Sequence, residues 1–143
     1  MEKLVNTSKT IHDKIIKTMI KPLKNVEIKQ IIDSGSGKTS ASILLKYFPT
    51  AHVDAIVYPG DNRKKNPLQS AIGSNRLEVI ETDICSSCIR KKYDFCLMHL
   101  VLGEASNFGN SFENLFHQIM DIRSKYFLLV DIWEDPCVHF RYI

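Results

Sequence analysis

Residues Ile28-Lys-Gln-Ile-Ile-Asp33-Ser-Gly35-Ser-Gly37-Lys-Thr-Ser-Ala-Ser-Ile-Leu-Leu-Lys-Tyr-Phe48 decide the fold. A short apolar run, Ile31-Ile32, is closed by Asp33. Two glycines follow at alternate positions, and then Ile43, Leu44, Tyr47 and Phe48 share one face of a helix-period pattern. The pattern reads as strand, glycine turn, helix. A glycine turn lets backbone pass close to a ligand, because no Cβ intrudes and positive φ is tolerated. The helix that starts beyond the turn aims unpaired N–H groups at the same place.

Three turn chemistries compete for this stretch. Gly37-Lys38-Thr39 supplies the second half of a P-loop, but the first glycine would have to stand at Ile32. A dinucleotide fingerprint fits Gly35 and Gly37 and then meets Ser40 where its third glycine belongs. The third pattern is an acidic strand end followed by G-x-G. Asp33-Ser34-Gly35-Ser36-Gly37 has that form and resembles motif I of the class I S-adenosylmethionine-dependent methyltransferases, with Thr39 replacing the usual third glycine. A tight turn that holds no ligand is the plain alternative.

The segments after the turn keep an α/β rhythm. Residues 28–33 form strand one and about 38–47 a helix, which Pro49 stops. His52 to Tyr58 reads as strand two, with Val53, Ala55 and Val57 on one face. Residues 59–75 are turn-rich and polar, with room for a short helix at about 67–72. Their basic cluster, Arg63-Lys64-Lys65, reads as a solvated loop or a phosphate contact. Arg76 to Ile84 is strand three and Lys91 to Leu102 strand four. A loop over 103–110 leads to an amphipathic helix, Ser111 to Ile122, with Phe112, Leu115, Phe116, Ile119 and Ile122 inward. Tyr126 to Val130 is strand five, a continuous apolar run that suits a parallel strand covered on both faces. Val138 to Tyr142 alternates as a sixth strand would. Ahead of the core, residues 6–21 form a basic amphipathic helix with Ile11, Ile15, Ile16, Met19 and Ile20 in its stripe, ended by Pro22. It either covers the sheet or acts as a lid.

The expected architecture is therefore one α/β domain over residues 1–143. An N-terminal helical segment occupies 1–25, and a Rossmann-like, mostly parallel sheet with right-handed crossovers occupies 26–143. Ligands of such sheets sit at the carboxyl ends of the strands, near the switch point of strand order. The resemblance covers about residues 26–131. The helix and antiparallel hairpin that normally close the methyltransferase fold are missing from it.

The resemblance implies S-adenosylmethionine as cofactor and S-adenosylhomocysteine as product. It places Asp33, Ser34, Gly35, Ser36 and Gly37 against the cofactor's amino-acid part, and Asp83-Ile84 around adenine. Asp83 is equally a strand-end cap. The ribose position, at the end of strand two, falls on Val57-Tyr58. Methyltransferases carry an acid there, since a carboxylate accepts from both hydroxyls; Asp54 and Asp61 are the nearest replacements. Tyr93-Asp94 opens strand four as in that family, and its far end puts Met98 and His99 beside the reacting methyl. His99, with a free pKa near neutrality, is a candidate base or a packed strand-end residue. Glu104 and Asp131 are further candidates on the side of an unidentified methyl acceptor.

Composition narrows the remaining classes. The chain is 44% hydrophobic and 24% charged, ordinary for a globular domain. Residues 1–30 hold seven lysines against three acidic residues, which leaves the rest near neutral in a total of +3. Nucleic acid is not indicated, and no N-P-P-Y-like stretch of base N-methylating enzymes is present. No apolar run is long enough to span a membrane, and no secretory signal opens the chain, so a cytoplasmic protein with reduced thiols is expected. Cys85-Ser-Ser-Cys88 lacks a second pair at zinc spacing, so no metal is expected. The sheet edge at the C-terminal end invites a homodimer. Three functions follow: a methyltransferase, a non-catalytic module that kept its fold, and a nucleotide-phosphate binder using Gly37-Lys38-Thr39.

Overall fold

The structure, a computed structural model, describes residues 13–34, 38–62, 65, 67, 68, 73–84, 89–99 and 112–130. Helix α1 (13–19) leads into a 3-10 turn at Lys21–Leu23. Then come β1 (Gln30–Ser34), α2 (Lys38–Tyr47), β2 (His52–Val57) and β3 (Leu77–Glu81). The chain continues through β4 (Tyr93–His99), α3 (Phe112–Asp121) and β5 (Ser124–Val130). Residues 62, 65, 67 and 68 are helical as well.

The five strands make one sheet in the order β3-β2-β1-β4-β5, and every neighbouring pair is parallel. The chain leaves β1 for β2 on one side and reaches β4 on the other. The switch point of strand order is therefore between β1 and β4, at the carboxyl end of β1.

Side chains alternate across the sheet, and the two faces fill separately. On one face Ile31, Val53, Phe95 and Leu97 meet Ile43, Leu44, Leu45 and Phe48 of the α2 region, together with Ile16 and Ile20. On the other, Ile32, Ile56, Cys96 and Met98 meet Ile84, Tyr93 and Ile122. The N-terminal helix thus seats Ile16 and Ile20 in the core, while Ile15 and Met19 stay 40% and 54% exposed. That corrects the wider apolar stripe read from the sequence, and it makes the helix a cover for the sheet. Pro22 stops it as expected, inside the 3-10 turn.

Two polar groups tie the framework at its amino edge. The Arg76 guanidinium donates to the carbonyls of Leu45, Phe48 and Ala51 at 2.9, 3.0 and 2.9 Å, which ties the entry of β3 to the last turn of α2 and the residues after it. Asp94 Oδ2 accepts the N–H groups of Lys29 and Gln30 at 2.9 and 3.0 Å, and Oδ1 pairs with Lys125 Nζ at 3.0 Å. The acid that opens strand four therefore pins the entry of β1 and reaches β5.

Burial alone would raise the Asp94 pKa, but the two backbone donors and Lys125 outweigh it and hold the pKa below the usual carboxylate value. A carboxylate with a lowered folded-state pKa stabilises the fold above its unfolded pKa of ~3.9. That contribution disappears as pH falls through the lower, folded value. Asp94→Asn is expected to cost about 1–2 kcal/mol at pH 7. The gap from wild type should close in strong acid, as read from urea midpoints at pH 7 and below pH 3.

Strand five differs from expectation. It starts at Ser124, and Tyr126, Phe127 and Leu129 are 41%, 46% and 54% exposed. It is the outer strand of the five, and these three side chains of its apolar run are left uncovered among the described residues. The sixth strand and the dimer contact expected at 138–142 lie outside the described residues. So do the Cys85/Cys88 pair and the inward side chains expected at 112, 115, 116 and 119. Among the described residues no group of histidine, cysteine and acids is placed to hold a metal ion. No described helix is long and apolar enough to cross a membrane.

Candidate functional site

The carboxyl ends of the strands gather most of the residues singled out by sequence. Asp33 and Ser34 end β1, Val57 ends β2, and Met98 and His99 end β4. Ser34 lies in register between Ile56 on one side and Met98 on the other. Tyr58 follows β2, half-buried, and Asp83-Ile84 follows β3. Gly35, Ser36, Gly37, Glu104 and Asp131 lie outside the described residues.

Asp33 links the strand to the helix. It is fully buried, and its Oδ2 accepts the Ser40 hydroxyl at 2.8 Å. Ser40 is the third residue of α2, so strand end and helix start are joined across the connection at 35–37. A buried carboxylate requires such donors. Its charge is felt by Cys96, whose thiol is pushed up first by burial and then by Asp33. Cys96 is thus a neutral core thiol. The Ser34 hydroxyl is buried with no hydrogen-bond partner among the described residues.

Several side chains at this edge belong to the core. Val57 packs with Ala41, Ala55 and Leu68, while Met98 and Ile84 pack with Ile32 and Ile56. Contacts from Val57 and Met98 to a ligand would run through their backbone. Asp54, one replacement considered for the ribose acid, is engaged elsewhere. It lies three residues before the end of β2 and is 3% exposed, and its Oδ2 takes Lys91 Nζ at 2.7 Å and the Tyr93 hydroxyl at 2.8 Å. Burial and the Asp54 carboxylate together raise the Tyr93 pKa, so that hydroxyl stays a donor. Asp54 also borders a cleft of about 250 Å³ at the amino ends of the strands, with Gln30, His52, Glu78 and Lys91. That cleft is at the edge opposite the carboxyl end of β1.

Glu81 is an acid at the right edge that sequence reasoning passed over. It ends β3 directly beside Val57 in register. Its carboxylate accepts the Gly60 N–H at 3.3 Å and pairs with Lys65. Lys65, then the Gly60 N–H, hold its pKa below the ordinary glutamate value. Only strand pairing reveals the neighbour relation, because 24 positions of sequence separate the two residues.

A five-stranded parallel sheet of this order, flanked by helices, is the Rossmann-like fold that S-adenosylmethionine-dependent methyltransferases have. Neither the protein-family models nor the curated proteins give a match to the chain. Solved structures do. A protein from Methanococcus maripaludis described as a candidate S-adenosyl-L-methionine-dependent methyltransferase superposes with TM-score 0.64 at 18% identity over 90% of this chain and 59% of its own. Coclaurine N-methyltransferase bound to N-methylheliamine and S-adenosylhomocysteine gives 0.61 at 15% identity over 82% and 35%. Mitomycin 7-O-methyltransferase gives 0.58 at 18% over 76% and 32%. The chain spans about a third to three-fifths of these neighbours' lengths, and at such identities the likeness is one of fold.

Proposed function

We propose that the chain binds S-adenosylmethionine at the carboxyl edge of its sheet and serves methyl transfer to an acceptor. The observation that carries this reading is the bonded pair Asp33–Ser40 at the switch point, joining β1 to the helix across the glycine connection. The same edge offers the buried Ser34 hydroxyl and the Glu81 carboxylate as polar groups in a largely apolar wall. S-adenosylmethionine supplies an electrophilic methyl on a sulfonium. The protein's share is to hold donor and acceptor in line. The β1 end and α2 start would receive the amino-acid part, the residues after β3 would flank adenine, and His99 at the end of β4 is a candidate on the acceptor side.

A second reading, a module that kept the fold and lost the chemistry, is favoured by Val57 where an acid is expected. Calorimetric titration with S-adenosylmethionine and S-adenosylhomocysteine tests binding. Transfer of a labelled methyl group to acceptor mixtures, tested on protein that binds, separates the two readings.

A further inference from the structure

Resting on that reading, we infer that Glu81 at the end of β3 accepts the cofactor's ribose hydroxyls, a part that β2 cannot play in this chain. A vicinal diol presents two donors, and a carboxylate accepts both. Strand β2 ends in Val57, an apolar residue 1% exposed, and Asp54 on the same strand is buried and bonded to Lys91 and Tyr93. A carboxylate stands at this edge one strand over, that of Glu81, in register with Val57. Its side chain is 34% exposed and so open to a ligand.

Two contacts aim it. The Gly60 N–H reaches Oε2, and Lys65 Nζ reaches Oε1. Gly60 has φ +81°, a left-handed turn that favours glycine, in the loop that leaves β2. A carboxylate has about four lone-pair sites, so these two donors leave capacity for two hydroxyls. The same contacts keep it ionised, the state that accepts most strongly. Asp61 lies in the same loop, with its N–H donating to the Tyr58 carbonyl at 3.0 Å, and serves as the control.

The test is calorimetry on the full chain with S-adenosylhomocysteine and with an analogue lacking both ribose hydroxyls. Wild type should prefer the natural compound by about 10- to 100-fold. Glu81→Ala should lose that factor for S-adenosylhomocysteine and none for the analogue, while Asp61→Asn keeps the preference. Thermal midpoints establish that each variant is folded. A Glu81→Ala protein that discriminates as well as wild type overturns the inference and leaves the cofactor reading standing. So does an Asp61→Asn protein that alone loses discrimination. A folded wild type that binds neither compound overturns the cofactor reading itself, and the role of Glu81 with it.

Discussion

Phe95→Ala is expected to destabilise the protein by about 3–5 kcal/mol, the range for deleting a buried aromatic ring. Phe95 is 1% exposed and is the largest of the fully buried side chains among the described residues. It lies on β4 in register with Ile31 on β1 and Tyr126 on β5. Its ring centroid is 6.0 Å from that of Phe48, which stands just past α2 and itself meets Tyr47 at 5.0 Å. One side chain therefore joins the central strand, its neighbour and the covering helix. Domains of this kind are stable by about 5–15 kcal/mol in total, so the loss is about a fifth or more of what is available. Urea denaturation should show a lower midpoint with an unchanged slope. A cost under about 1 kcal/mol would mean that the two faces of the sheet are not filled as described.

Asp33→Ala should have the largest effect on ligand binding, a loss of about 100-fold in affinity for S-adenosylhomocysteine. The substitution removes the acceptor of the Ser40 hydroxyl and the link that holds strand end to helix start. Binding is tighter where the groups that receive the ligand are fixed before it arrives, and a loosened joint between β1 and α2 must be ordered anew each time. Asp33→Asn, which keeps an acceptor for Ser40 but removes the charge, should fall between the alanine variant and wild type. Equal affinities in all three proteins would show that the Asp33–Ser40 joint does not serve the ligand.

Much of the fold was legible because local and global signals agree here. Ile31-Ile32-Asp33 ahead of two glycines specifies a buried strand that ends abruptly, and β1 runs to Ser34. Val53, Ala55 and Val57 alternate against Asp54 and Ile56, and β2 places them on opposite faces as that period requires. Two readings failed for want of tertiary information. The N-terminal stripe looked wide because Ile15 and Met19 keep helical spacing with Ile16 and Ile20, but only the latter two reach the sheet. The run Tyr126 to Val130 looked buried because apolar content alone does not tell an inner strand from an outer one.

Of the candidate site, Asp33 could be picked out in the sequence, because its place before the glycines is itself the motif. Ser40 as its partner could not, since that bond depends on how α2 meets the strand. Glu81 was hidden for a related reason. Along β3 it is one more alternating residue, and it becomes a neighbour of Val57 only through strand register. The function of Asp94 was hidden likewise, because its donors are backbone groups 64 and 65 residues away.

The most direct measurement is calorimetric titration of the folded protein with S-adenosylmethionine and S-adenosylhomocysteine, with magnesium-ATP and NAD as controls. Micromolar binding of the first two and none of the controls is the predicted result. Binding of magnesium-ATP alone, or silence toward all four from a folded protein, would contradict the assignment of this edge to S-adenosylmethionine.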